Sequence, residues 1–171
     1  GITLTYAELD TRSNRLARWL IEQGIGPERT VGVAVRRTAE LAVAMHAVWK
    51  TGGIYVPLDP DHPADRIRYV LDIVAPDVVL TTSDVGFDVV AATSIDQLAV
   101  DSYSAGRVLD SELVSELSPD NAAYITFTSG STGRPKGVTN TFDGIATHLA
   151  WMAAEYRIGG DSIYLQKTAP T

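Results

Sequence analysis

Four hydroxyls, three glycines and two cations fall within ten residues at positions 128–137. The run reads Thr128, Ser129, Gly130, Ser131, Thr132, Gly133, Arg134, Pro135, Lys136 and Gly137. Glycines let successive backbone N–H groups turn toward one point and form an anion-binding nest. The hydroxyls add neutral donors, and Arg134 and Lys136 add positive charge. Together these suit a polyphosphate. The run is not the usual P-loop, which closes on Gly-Lys followed by Ser or Thr. With Gly130 as the first glycine, Pro135 stands where the second belongs, and Gly137 stands where the hydroxyl belongs. Val138 and Thr139 then look extended, so no helix begins at the lysine. A ligand-free Gly/Ser/Thr turn has a similar composition. The number of positions matched directly after a predicted strand favours the phosphate cradle.

That strand is residues 122–128, AAYITFT, and it must present the loop. Upstream, helical and extended patterns alternate. Thr5 and Glu8 form a capping box at a helix start, and Leu9, Leu16 and Leu20 follow on one face until Gly24, Gly26 and Pro27. Residues 30–35, TVGVAV, are β-branched and apolar throughout, as in a strand buried on both faces. Leu41, Met45 and Val48 mark a second helix closed by Gly52 and Gly53, and residues 54–57 read as a strand. Pro63 suits the first position of a third helix, whose stripe is Ile67, Val70, Leu71 and Val74. Residues 78–80 form another short strand pattern. Residues 84–120 read as surface connection, with a strand over 87–91 and a short helix. Past the loop, Ile145, Leu149, Met152 and Tyr156 line one face of a last helix. The expected fold class is therefore α/β, a mostly parallel sheet flanked by helices.

The 171 residues carry a net charge of −7, with 45% hydrophobic and 20% charged residues. That length suits one domain with a real core. The acidity argues against nucleic acid or an anionic membrane as partner. With no cysteine in the chain, disulfides, iron–sulfur clusters and thiol nucleophiles are excluded. No apolar run is long enough to span a bilayer. His46, His62 and His148 are too scattered for a metal site. Trp19, Trp49 and Trp151 read as packing groups, and Arg12, Arg15 and Arg18 as a solvated basic face. Lys50 reads as structural.

Thr128 to Gly137 resembles the signature of the AMP-forming adenylating superfamily, which includes acyl-CoA synthetases, luciferases and the adenylation domains of nonribosomal peptide synthetases. Leu4-Thr5-Tyr6-Ala7-Glu8-Leu9 resembles the first core motif of the peptide-synthetase branch. The string from Trp49 through Gly52, Gly53, Tyr55 and Pro57 to Asp59 resembles the second, and Leu165-Gln166-Lys167-Thr168 the segment before the fourth. The resemblance implies the first α/β subdomain of a larger N-terminal portion, so that residues 1–171 form part of an adenylation domain in a cytoplasmic enzyme. It implies activation of an amino acid with ATP and Mg2+, giving an aminoacyl adenylate and pyrophosphate. The acyl group then passes to phosphopantetheine on a peptidyl carrier domain. It places Thr128, Ser129, Gly130, Ser131, Thr132, Gly133 and Lys136 on the nucleotide, with Lys136 and Thr132 catalytic. The remaining partners are the rest of the adenylation domain and the neighbouring synthetase domains. Phe127 replaces a common tyrosine, and Phe142 a common histidine. The alternatives are an acyl-CoA synthetase and a noncatalytic scaffold on a degenerate adenylation fold. Lys167 lies near the expected substrate region without a catalytic role, and the C-terminal edge is expected to expose apolar surface.

Overall fold

Short apolar segments at the centre of the chain hydrogen-bond side by side into a six-stranded sheet, of order β4-β3-β1-β2-β5-β6. The computed structural model describes residues 3–129, 135–160 and 162–165. The strands are β1 (Thr30–Ala34), β2 (Ile54–Pro57), β3 (Val78–Thr81), β4 (Thr93–Ser94), β5 (Ala122–Ser129) and β6 (Pro135–Thr141). The first five run parallel, and β6 is antiparallel to β5 at the edge. The helices are α1 (Tyr6–Glu22), α2 (Ala39–Lys50), α3 (Ala64–Val74) and α4 (Phe142–Glu155).

Side chains alternate across each strand, and both faces are covered. Val31, Val33, Val35 and Tyr55 join the cluster built by α1 and α2 through Leu16, Leu20, Leu41 and Val48. Ala34, Ile54, Val56 and Leu58 face the other way and pack with Val70 of α3. This explains the unbroken apolar run at residues 30–35, since a parallel strand between two helical layers has no wet side.

Helix α1 starts as its sequence predicts. The Thr5 hydroxyl accepts from the Glu8 amide at 3.2 Å, and the Glu8 carboxylate accepts from the Thr5 amide at 2.7 Å. A polar clip joins α1 to α2: Lys50 Nζ donates to Asp10 Oδ1 at 2.6 Å, Ser13 Oγ at 2.8 Å and Asn14 Oδ1 at 2.7 Å. Lys50 is thus structural, as its sequence context indicated. At the end of α2 the chain turns tightly. Gly52 takes φ +80°, which a side chain would strain. A Cβ on Gly53 would lie 2.8 Å from Ile25 Cγ2 and 3.0 Å from Thr51 Oγ1.

Three expectations need correction. Residues 87–91 form no strand; the partner of β3 is Thr93–Ser94, six residues beyond Phe87. Gly86 at φ +63 bends the chain, and Phe87 packs on the α3-side core instead of entering a ladder. Pro63 caps α3 from outside, its carbonyl accepting from Arg66 and Ile67. The arginines of α1 are not a solvated face. Arg12 pairs with Glu40 and Arg15 with Asp101. Arg18 pairs with Glu112 and donates to the carbonyls of Ser104, Gly106 and Arg107. Arg18 therefore holds down the long connection whose 3-10 turns replace the expected short helix.

Gly53→Ala is expected to cost about 1–3 kcal/mol of stability through overpacking, measured by urea unfolding. The Asp10 carboxyl is held below its usual range, chiefly by the Lys50 hydrogen bond. A lowered folded value means this contribution is complete above the free carboxyl's pKa and is lost as pH falls through the lowered one. Lys50→Met is expected to flatten the acid limb of thermal stability below about pH 4.

Candidate functional site

Because β5 runs parallel to β2, with Tyr55 opposite Tyr124, its C-terminal end opens at the same sheet edge as the ends of β1 and β2. That edge is where open α/β sheets hold ligands. β5 and β6 form an antiparallel pair down to Ser129 opposite Pro135. Thr128 lies opposite Lys136, so their side chains share one face of the ribbon. The structure thus brings Thr128, Ser129 and Lys136 together at the mouth of the loop. Thr128 and Lys136 are exposed, and Lys136 forms no ion pair among the described residues. Gly130, Ser131, Thr132, Gly133 and Arg134 lie outside the described residues, as do Gln166, Lys167 and Thr168. Val138 and Thr139 are extended in β6, so no helix begins at the lysine.

Several contacts set the position of this ribbon. The register slips between Ala122 and Tyr124, leaving Ala123 as the extra residue of a bulge. The Ala123 carbonyl accepts from Trp49 Nε1 at 2.9 Å. The start of β5 is held by Glu28, a non-glycine residue at φ 61. Its carboxylate accepts from Asn121 Nδ2 at 2.8 Å and from the Ala122 amide at 3.1 Å. Phe142 opens α4, its amide donating to the Asn121 carbonyl. The Thr141 hydroxyl caps the helix by accepting from the Gly144 amide at 3.2 Å.

The loop's base also meets α3. Tyr69 Oη donates to the Pro135 carbonyl at 3.2 Å. Phe127 packs against the α3-side core. A Cβ on Gly137 would lie 3.3 Å from Ile125 Cγ2 and 3.4 Å from Phe127 Cζ. Tyr69 was absent from the sequence-predicted site. It lies in the sequence between the stripe residues Ile67 and Val70 of α3, where a tyrosine reads as packing; only the fold reveals its hydroxyl's partner.

A cleft of about 380 Å³ lies along the same edge, lined by Val33, Val35, Tyr55, Leu58, Arg36 and Asp61. Arg36 Nη2 donates to Asp61 Oδ1 at 2.8 Å, and this bond holds the Asp61 carboxyl below its usual range. Burial pushes the Tyr55 phenol pKa upward, which keeps it neutral. Among the described residues, no group of three or more His, Cys, Asp or Glu side chains is placed to hold a metal ion, and no helix is long and apolar enough to cross a membrane.

The family model for AMP-binding enzymes matches residues 1–170. The chain belongs to the AMP-binding enzyme family. Within it, a dimodular nonribosomal peptide synthase of Bacillus subtilis (strain 168) is 40% identical over 176 residues, covering 98% of this chain and 7% of that protein. The zwittermicin A synthase ZmaJ of Bacillus cereus is 37% identical over 170 residues, covering 99% and 32%. The chain thus spans less than a third of the length of either relative. A crystal structure of the nonribosomal peptide synthetase FmoA3, bound to α-methyl-L-serine-AMP, superposes with a TM-score of 0.78 at 28% identity, over 92% of this chain and 17% of the other. A fatty acid AMP ligase from Legionella pneumophila shares the fold at a TM-score of 0.79 and 21% identity, over 94% and 29%. This member of the AMP-binding enzyme family is therefore built on a mostly parallel α/β sheet that matches structures of adenylate-forming enzymes.

Trp49→Phe would leave the Ala123 carbonyl without its donor. A loss of about 1–3 kcal/mol is expected, measured by denaturant unfolding, with faster amide exchange in β5 than in β1.

Proposed function

We propose that this chain is the opening α/β part of an adenylation domain that activates an amino acid with ATP. The observation that carries the reading is the similarity to a dimodular nonribosomal peptide synthase along 98% of the chain, with the hydroxyl, glycine and lysine run following β5. An oxygen of the amino-acid carboxylate attacks the α-phosphorus of ATP. A new carboxylate–phosphorus bond forms as the bond to the bridging oxygen breaks, and pyrophosphate leaves with that electron pair. Charge builds on the leaving group, so fixed donors and a cation lower the barrier where they grip it.

The exposed Lys136 ammonium beside Thr128, without an ion pair among the described residues, fits that demand. Lys136 neutralises pyrophosphate charge, and the hydroxyls of Thr128, Ser129, Ser131 and Thr132 donate to phosphate oxygens. Gly130 and Gly133 let backbone amides approach. Lys136 and Thr132 act on the leaving group. Magnesium carried on the ATP phosphates would supply further charge neutralisation. The aminoacyl group then passes to the phosphopantetheine thiol of a carrier domain, forming a thioester and releasing AMP. Residues 1–171 act with the rest of the adenylation domain and neighbouring synthetase domains, in the cytoplasm. The exposure of the apolar groups Leu149, Trp151, Tyr164 and Leu165 fits a C-terminal part that the rest of the domain covers.

Lys136→Ala in the full-length synthetase is expected to lower amino-acid-dependent ATP–pyrophosphate exchange by about 100-fold, the scale of losing one strong transition-state donor. Unchanged exchange would sink the assignment. The isolated 171 residues are expected to give none. Fatty acids driving exchange in place of amino acids would move the reading to the acyl-CoA branch.

A further inference from the structure

We propose that Tyr69 of α3 is a positioning residue for Lys136, holding the backbone that carries this lysine at the height and angle the pyrophosphate requires. The proposal rests on the phosphate-gripping role of Lys136 and extends it to a residue outside the loop.

The argument begins with the edge. Among the described residues β6 ends the sheet, so there only β5 flanks it and its outer side has no strand to hold it. Pro135, the first residue of β6, has no N–H to give the ladder. The segment next to Lys136 is therefore the least constrained part of the ribbon unless something outside the sheet holds it. Tyr69 Oη does so, donating to the Pro135 carbonyl at 3.2 Å across 66 positions of sequence. The tyrosine sits in the middle of α3, a helix whose Ile67 and Val70 are buried.

The other neighbour of Lys136 is held too. Gly137 lies against Phe127 and Ile125, close enough that an added methyl would press on Ile125 and touch the Phe127 ring. Phe127 in turn packs on the core beside Val70. The lysine backbone is thus bracketed, by a hydrogen bond on one side and an aromatic ring on the other. Both brackets lead to α3. The lysine side chain remains exposed and able to meet a phosphate. A rigid base beneath a long, flexible cation lessens the ordering cost of gripping the leaving group.

The test uses the full-length synthetase, with the amino acid that supports the fastest exchange. Tyr69→Phe removes only the hydroxyl and keeps the ring. It is expected to raise the KM for ATP by about three- to tenfold, the equivalent of one ordinary hydrogen bond. The KM for the amino acid should hold. The second arm places Tyr69→Phe in a Lys136→Ala background. A hydroxyl that acts through the lysine has nothing left to position there, so the added change should vanish. An equal change in both backgrounds, an unchanged KM for ATP, or a parallel rise in both KM values would overturn the proposal. If Lys136→Ala alone leaves exchange intact, the phosphate grip itself fails, which is a separate result.

Discussion

The indole N–H of Trp49 reaches the carbonyl of Ala123, and the way the hairpin meets the sheet depends on this contact. β5 joins β2 through one register pair, Tyr55 with Tyr124. A bulge sits just before that pair, and an extra residue there would leave a polar backbone group unmatched. The indole satisfies it from the last turn of α2. Its ring also meets the Tyr55 ring edge-on, with centroids 6.3 Å apart. Helix, central strand and loop-bearing strand are thereby fixed relative to one another at a single side chain.

This placement depends on how tightly α2 turns into β2. The Gly52–Gly53 turn brings Ile25, Thr51 and the strand start into near contact, and the Thr51 hydroxyl accepts from the Gly53 amide. Any lengthening of that turn moves Trp49 away from β5. A motif that looks like simple punctuation therefore sets the distance from the core to β5.

Much of this was legible because it is local. The capping box at Thr5 and Glu8, the doubly buried run at residues 30–35 and the strand at residues 54–57 each follow from short-range periodicity or side-chain reach. The proposed phosphate cradle can be put forward from sequence for a similar reason, since its candidate residues are ten consecutive ones. What escaped notice were pairings over long separations. Arg18 looked like solvent-facing charge because its partners lie 86–94 positions away. Tyr69 looked like stripe filler because its acceptor is a carbonyl, which leaves no signature in a side-chain pattern. The strand expected at residues 87–91 failed in the opposite sense. Phe87 packs on the core while Val90 and Ala91 stay exposed, and the short ladder beside β3 forms further along, at Thr93 and Ser94.

Glu28 shows how such long-range demands constrain sequence change. Its backbone sits where glycine is most at ease, so strain relief alone would favour replacing it. Yet its carboxylate is the acceptor that fastens Asn121 and Ala122 at the root of β5. A glycine would relax the turn and release the strand in the same step. The position therefore accepts local discomfort for a distant anchorage, and a stabilisation strategy guided by backbone angles alone would choose the wrong residue.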